Sequence, residues 1–235
     1  KTDVYRPPTA DGPVPVLLVR SPYPKELLRG EADKFVSRGF AVVIQNVRGT
    51  GGSGGTFTGF LDDGWSGHTD GADTVRWIAA QHWCNGKIGT MGVSAAGNTQ
   101  VQLAPATNLV SCQIIEVAAC DFYLDLAYPG GVWRTEQTDR WFEMFGDAGR
   151  AARATLREHP SKDAFWRGYD ATLKSASITA PALHVGSWYD IFKDGTIRNF
   201  MSRQYEGGPR AKGNQRLIMK WSAHTDFMPD LPFSF

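Results

Sequence analysis

K-I-G-T-M-G-V-S-A-A-G, residues Lys87–Gly97, is the stretch on which the reading of the whole chain turns. Ile88 to Met91 form a short apolar run, Gly92 to Gly97 a turn of small residues, and a helical pattern continues to about Ala104. A serine set between small residues after a strand is the pattern of a nucleophile elbow. Such a turn strains the serine backbone and brings strand and helix so close that only Gly or Ala fits two positions before and after it. Gly92 and Ala96 meet that demand around Ser94, with Gly97 one step further on. The first N–H groups of the helix lack internal acceptors, which makes the Ala95 N–H a candidate anion donor. A G-x-S-x-x-G string is also found in ordinary turns, so the elbow needs partners elsewhere in the chain.

Working outward, strands and helices alternate. Pro15–Arg20 and Phe40–Val47 are continuous apolar runs, as expected of strands buried on both faces. Helical spacing runs across Lys25–Arg38 and ends at Gly39, and a second helix across Asp70–Gln81 stops before Asn85-Gly86. Cys112–Ala118, Ala182–Ser187 and Gln215–Trp221 read as further strands, with a helix near Asp194–Gln204. The pattern predicts an α/β fold, a mostly parallel sheet with helices on both faces. Residues 1–120 and 174–235 form its core. Asp121–Leu173 is an insertion without strand-like runs but rich in aromatics, including Phe122, Trp133, Trp141 and Trp166. Two helical pieces, about Thr135–Phe145 and Ala148–Glu158, are expected there. A cap or lid over a pocket and a helical layer packed on itself fit it equally well.

Composition narrows the function. The chain has 235 residues, 42% of them hydrophobic and 21% charged, and is long enough for one sizeable core. A net charge of +1 without a basic stripe argues against a nucleic-acid or anionic-membrane partner. No apolar run approaches the roughly 18–20 residues that span a bilayer. Three cysteines, Cys84, Cys112 and Cys120, are too few for a disulfide framework and have no zinc-like spacing. They read as buried or semi-buried free thiols, which favours a cytoplasmic location. Secretion stays open, because a removed leader leaves no trace. Self-association is likewise open.

Gly49-Thr50-Gly51-Gly52-Ser53-Gly54 competes with the elbow, since G-x-G-x-x-G after a strand is the dinucleotide-binding string. That reading needs a helix to begin within the motif. The residues from Gly55 to about Asp70 are full of breakers, so a Gly-rich connection is the better description.

A nucleophilic serine needs a histidine base and a carboxylate to orient it. In sheets with an elbow the order is Ser, acid, His, each past the C-terminal end of a strand. Asp190 in G-S-W-Y-D and His224 in W-S-A-H-T occupy those places. His68 and His82 precede the serine, His159 lies in the insertion and His184 sits inside a strand as a core residue. Asp194 is a neighbouring alternative for the acid, and Asp226 comes after the histidine. Phe122, Trp133 and Trp188 are the candidate substrate-lining aromatics.

R-S-P-Y-P-K (Arg20–Lys25), V-V-I-Q-N-V-R-G-T-G-G-S-G-G-T-F (Val42–Phe57), W-C-N-G-K-I-G (Trp83–Gly89), G-V-S-A-A-G and H-V-G-S-W-Y-D (His184–Asp190) together resemble the X-Pro dipeptidyl peptidase/cocaine esterase family of α/β-hydrolases. The likeness runs from about Thr2 to His224. It implies Ser94 as nucleophile, Asp190 as acid, His224 as base, and Tyr23 beside the Ala95 N–H as oxyanion donors. Three departures stand out. The jelly-roll domain that usually ends such chains and the usual opening strand are both expected to be absent. The family's G-P-W-[S/T]-H becomes W-S-A-H here, with Ala223 as an extra residue. The insertion is shorter than usual, which implies a more open pocket.

The expected activity is hydrolysis of a small-molecule ester or amide through an acyl-enzyme, with no metal or organic cofactor. An acyl esterase is favoured, with X-Pro dipeptidyl peptidase and aminoacyl-ester or β-lactam acylase as alternatives. Asp121, Asp125 and Glu136 are the carboxylates available to a substrate ammonium group. A non-catalytic binding module on the same fold is the rival class.

Overall fold

The computed structural model describes residues 1–8 and 11–224. Seven strands form one sheet: β1 (Thr2–Tyr5), β2 (Val14–Ser21), β3 (Ala41–Asn46), β4 (Cys84–Val93), β5 (Val110–Glu116), β6 (Ala182–Tyr189) and β7 (Gln215–Ala223). Their order is β1-β3-β2-β4-β5-β6-β7, with β1 antiparallel to β3 and every other pair parallel. This is the mostly parallel α/β arrangement expected from the alternation, and it fits the α/β-hydrolase fold that the resemblance implies. β1 is a strand that the sequence reading lacked. Only four residues long and half exposed, it has no continuous apolar run to betray it.

Alternating side chains sort the two faces. Leu17, Val42 and Ile44 pack with Ala32 of α1 (Arg29–Val36) on one side. Val16, Leu18 and Val43 pack on the other against Ala72, Val75 and Ile78 of α2 (Asp70–Ala79) and Leu103 of α3 (Ala95–Leu103). α6 (Lys193–Glu206) lies against β6 and β7. Cys112 is exposed, a correction to its reading as a buried or semi-buried thiol, and its neighbour Ile114 is 40% exposed.

The Gly-rich connection has a packing role. A Cβ on Gly49, at φ +72°, would lie 2.3 Å from the Phe57 backbone nitrogen, and one on Gly51, at φ +52°, would lie 2.3 Å from the Asn46 side chain. The loop is therefore folded tightly onto Asn46, and no helix begins in it.

Asp121–Leu173 folds into short pieces: a π-helical turn over Thr135–Asp139, α4 (Arg140–Glu143) and α5 (Gly146–Arg157), with single turns between them. Its neck is closed by an Asp121–Asp170 bridge, with Lys162 paired to both carboxylates. Trp166 is fully buried among Tyr123, Tyr128, Phe165 and Tyr169.

Candidate active site

β4 enters the elbow and α3 leaves it. Ser94 sits between them at φ 57°, ψ −115°, strained geometry for a residue with a Cβ. The crowding is mutual. A Cβ on Gly92 would lie 2.5 Å from that of Ala96, and one on Gly97 would lie 2.9 Å from that of Ala118. The Ser94 N–H donates to the Glu116 carbonyl at 2.9 Å, fixing the turn to the end of β5. Val117, next along, also takes positive φ, at 42°, a rare state for a β-branched residue that no sequence pattern flagged.

Three strand ends meet at this turn. His224 Nε2 is 2.9 Å from Ser94 Oγ, and His224 Nδ1 is 2.5 Å from Asp190 Oδ2. The second Asp190 oxygen accepts from the Phe192 N–H at 2.6 Å, and the Asp190 side chain is fully buried. With a carboxylate on Nδ1, that nitrogen carries the proton and Nε2 offers its lone pair to the serine hydroxyl. Phe192 packs edge-on to the imidazole, with ring centroids 5.5 Å apart. Such a chain can deprotonate Ser94 and hold the resulting imidazolium.

The extra residue before the histidine is taken up by the sheet. Ser187 pairs with Lys220, but Tyr189, two residues on, pairs with Ala223, three residues on. β7 thus bulges by one residue. The buried Ser187 and Ser222 hydroxyls, 3.0 Å apart, tie the strands within this irregular stretch.

Tyr23 and Ala95 line the same cavity as Ser94 and His224, a space of about 960 Å³. Asn46 holds the Tyr23 loop by donating to the Ser21 and Tyr23 carbonyls, at 3.2 and 2.6 Å. Tyr23 Oη accepts from the Trp141 indole N–H at 2.7 Å. Burial pushes the Tyr23 pKa up, and the bond from Trp141 draws it back in part. Leu126, Gln137, Thr138 and Trp141 of the insertion form part of the wall, with Leu27, Leu28, Ile191 and Phe192 from the core.

The three aromatics expected to line this cavity do not. Phe122 is 1% exposed and packs between Phe60 and Tyr169. Trp133 packs on Tyr128 and donates to Asp139. Trp188, at the end of β6, is 55% exposed, and its neighbour Tyr189 more so. Trp141 and Phe192 are among the aromatics that line the cavity. Phe192, two residues past Asp190, had a positional signal; Trp141 was one aromatic among many.

The other histidines stay out of the site. His184 is buried, facing Gln215 at 3.0 Å, and His159 stacks on Phe165. Asp194 is exposed beside Lys193, and Asp226 lies outside the described residues. No group of His, Cys, Asp and Glu among the described residues is arranged to hold a metal ion, and none of their helices is long and apolar enough to cross a membrane.

Known proteins agree with this architecture. Cocaine esterase of Rhodococcus sp. (strain MB1 Bresler) is 32% identical over 253 residues, an alignment covering 85% of this chain and 43% of that protein. A CocE/NonD family hydrolase from Staphylococcus aureus superposes with a TM-score of 0.80 at 22% identity, over 95% of this chain and 43% of that one. An α-amino acid ester hydrolase superposes with a TM-score of 0.73 at 22% identity, over 95% and 46%. These two likenesses show the α/β-hydrolase fold. The chain spans less than half the length of each of these relatives. The family model described as X-Pro dipeptidyl-peptidase (S15 family) matches residues 1–155 and 143–226. By that match across nearly its whole length, the chain belongs to the X-Pro dipeptidyl-peptidase (S15) family.

Proposed function

We propose that the protein is a serine hydrolase that cleaves esters carrying an uncharged, apolar acyl group. The observation behind this reading is the hydrogen-bonded chain from Ser94 Oγ through His224 to Asp190. His224 takes the Ser94 proton as Oγ attacks the carbonyl carbon, and Asp190 stabilises the imidazolium. Tyr23 O–H and Ala95 N–H receive the charge on the carbonyl oxygen. His224 then gives its proton to the leaving alcohol, and the acyl group stays on Ser94. A water deprotonated by the same imidazole releases the acid and restores the serine. Losing one oxyanion donor costs about 2.7–4 kcal/mol of transition-state stabilisation.

The preference for a neutral acyl group rests on the cavity walls. An aminoacyl ester or X-Pro peptide brings an ammonium group that needs a free carboxylate. Glu31 and Glu116, the acidic residues of the wall, are already paired with Lys34 and Lys220. Asp121 and Asp125 are buried against Lys162 and Arg198, and Glu136 is exposed next to Arg140. A panel of 4-nitrophenyl butyrate, 4-nitrophenyl benzoate, an alanyl 4-nitrophenyl ester and Ala-Pro-4-nitroanilide tests this reading. The first two should exceed the others in kcat/KM by about tenfold or more, the weight of one unpaired ionic contact. Preference for the aminoacyl or X-Pro substrate would reverse the assignment. A fluorophosphonate should label Ser94 alone, and labelling elsewhere would remove the mechanism.

A further inference from the structure

The oxyanion loop and the insertion touch through one directional bond. An indole nitrogen can only donate, so in the 2.7 Å contact between Trp141 Nε1 and Tyr23 Oη the phenol oxygen must accept. A phenol has a single proton. With Trp141 occupying a lone pair, that proton cannot turn toward Trp141 and is left for the cavity that Tyr23 shares with Ser94 and Ala95. Trp141 is itself fixed. Its ring packs against Phe57, Phe60, Phe142 and Phe145, with centroids 4.9–6.0 Å away. Tyr23 stacks on Phe145 of the same group, at 6.1 Å.

We propose that Trp141 is a positioning residue for the reaction: its indole N–H orients and polarises the Tyr23 hydroxyl, so that the insertion completes the oxyanion site built on the core. This rests on the reading of Tyr23 as an oxyanion donor. The geometry has two effects. A donated bond into the phenol oxygen strengthens the bond its own proton makes, because hydrogen bonds in series polarise one another. The same bond makes the direction of the Tyr23 hydroxyl depend on where α4 holds the Trp141 ring.

The decisive experiment removes the N–H and keeps the ring. β-(3-Benzothienyl)alanine in place of Trp141 has the shape of tryptophan with sulfur where the nitrogen was. It is placed in the otherwise unchanged protein and in Tyr23→Phe, with 4-nitrophenyl acetate as substrate because its small acyl group makes little use of the cavity wall. In the Tyr23 protein kcat should fall about tenfold, the weight of one hydrogen bond, with KM held within about twofold. In Tyr23→Phe the same replacement should change kcat by less than about twofold, since the oxygen it acts through is gone. Trp141→Phe, which also lacks the N–H, should show the same dependence on background. Equal losses in both backgrounds would mean that Trp141 only packs, and would overturn the inference while leaving Tyr23 in its role. No loss in the Tyr23 protein would overturn it as well. A wild-type kcat in Tyr23→Phe alone would bring down the oxyanion reading and this inference with it.

Discussion

The sheet and the insertion hold their residues by different means. Ser94, Asp190 and His224 stand at the ends of β4, β6 and β7, strands joined to their neighbours by ladders of backbone hydrogen bonds. Trp141, Gln137 and Thr138 stand on a run of short helical turns held by ring packing and a two-aspartate neck. Backbone ladders fix position to a fraction of an ångström, whatever the side chains. Aromatic packing is strong and has preferred ring geometries, but it depends on the side chains themselves and so changes with their substitution. The contrast separates two supports for one cavity: the proposed bond-making groups stand on the ladder, while the wall is shared between core residues such as Leu27 and Ile191 and the packed layer.

The largest effect is expected at Ser94, the proposed nucleophile. Ser94→Ala should lower 4-nitrophenyl ester hydrolysis by on the order of 10⁴-fold or more while the circular dichroism spectrum stays unchanged. Residual activity near that of the parent protein would remove Ser94 from its role. The packed layer should instead fail in stability. Trp166→Ala, deep among four rings, should cost about 3–5 kcal/mol in urea unfolding. A loss under about 1 kcal/mol would mean that the insertion collapses around the void.

Below the sheet surface, burial, with the Arg203 charge adding to it, pushes His184 down to about 3. As pH falls below about 6.5, the unfolded chain takes up a proton there before the folded chain does. His184 therefore leaves stability intact above that pH and erodes it between about 6.5 and 3, by up to about 1.4 kcal/mol per pH unit. Unfolding of His184→Gln between pH 6 and 4 should show a slope shallower by one proton, and coincident slopes would assign the pH dependence to other groups. The smallest effect on kcat is the most remote. Gly51→Ala should cost more than about 1 kcal/mol, through its positive φ and its overlap with Asn46, and should lower kcat modestly by displacing Asn46 from the Tyr23 loop. An unchanged kcat would uncouple that loop from the oxyanion site.

The same division explains what could be read from the chain. Strands such as Ala41–Asn46 announce themselves as apolar runs because both faces of a central strand are covered. The elbow is legible because sterics leave only Gly and Ala as choices at positions 92 and 96. β1 is an edge strand with alternating exposure, and its four residues carry too little pattern. In the insertion every aromatic looks alike in sequence. Phe122 turns into the core, Trp133 toward Asp139 and Trp141 toward Tyr23, by a packing that no periodicity encodes. Trp188 lies at the end of β6, where it and Tyr189 both run out past the buried stretch that ends at Ser187.

The irregular pairing at the end of β7 bears on how such proteins tolerate changes in length. β7 has one hydrogen-bonded neighbour among the described strands, so an additional amino acid there disturbs a single ladder. The same addition at Ile88–Thr90 of β4, paired with both β2 and β5, would disrupt two. Insertions and deletions just ahead of the imidazole should therefore be tolerated better than those in the doubly paired stretch Ile88–Thr90, so the spacing from strand to histidine is freer to vary than the body of β4.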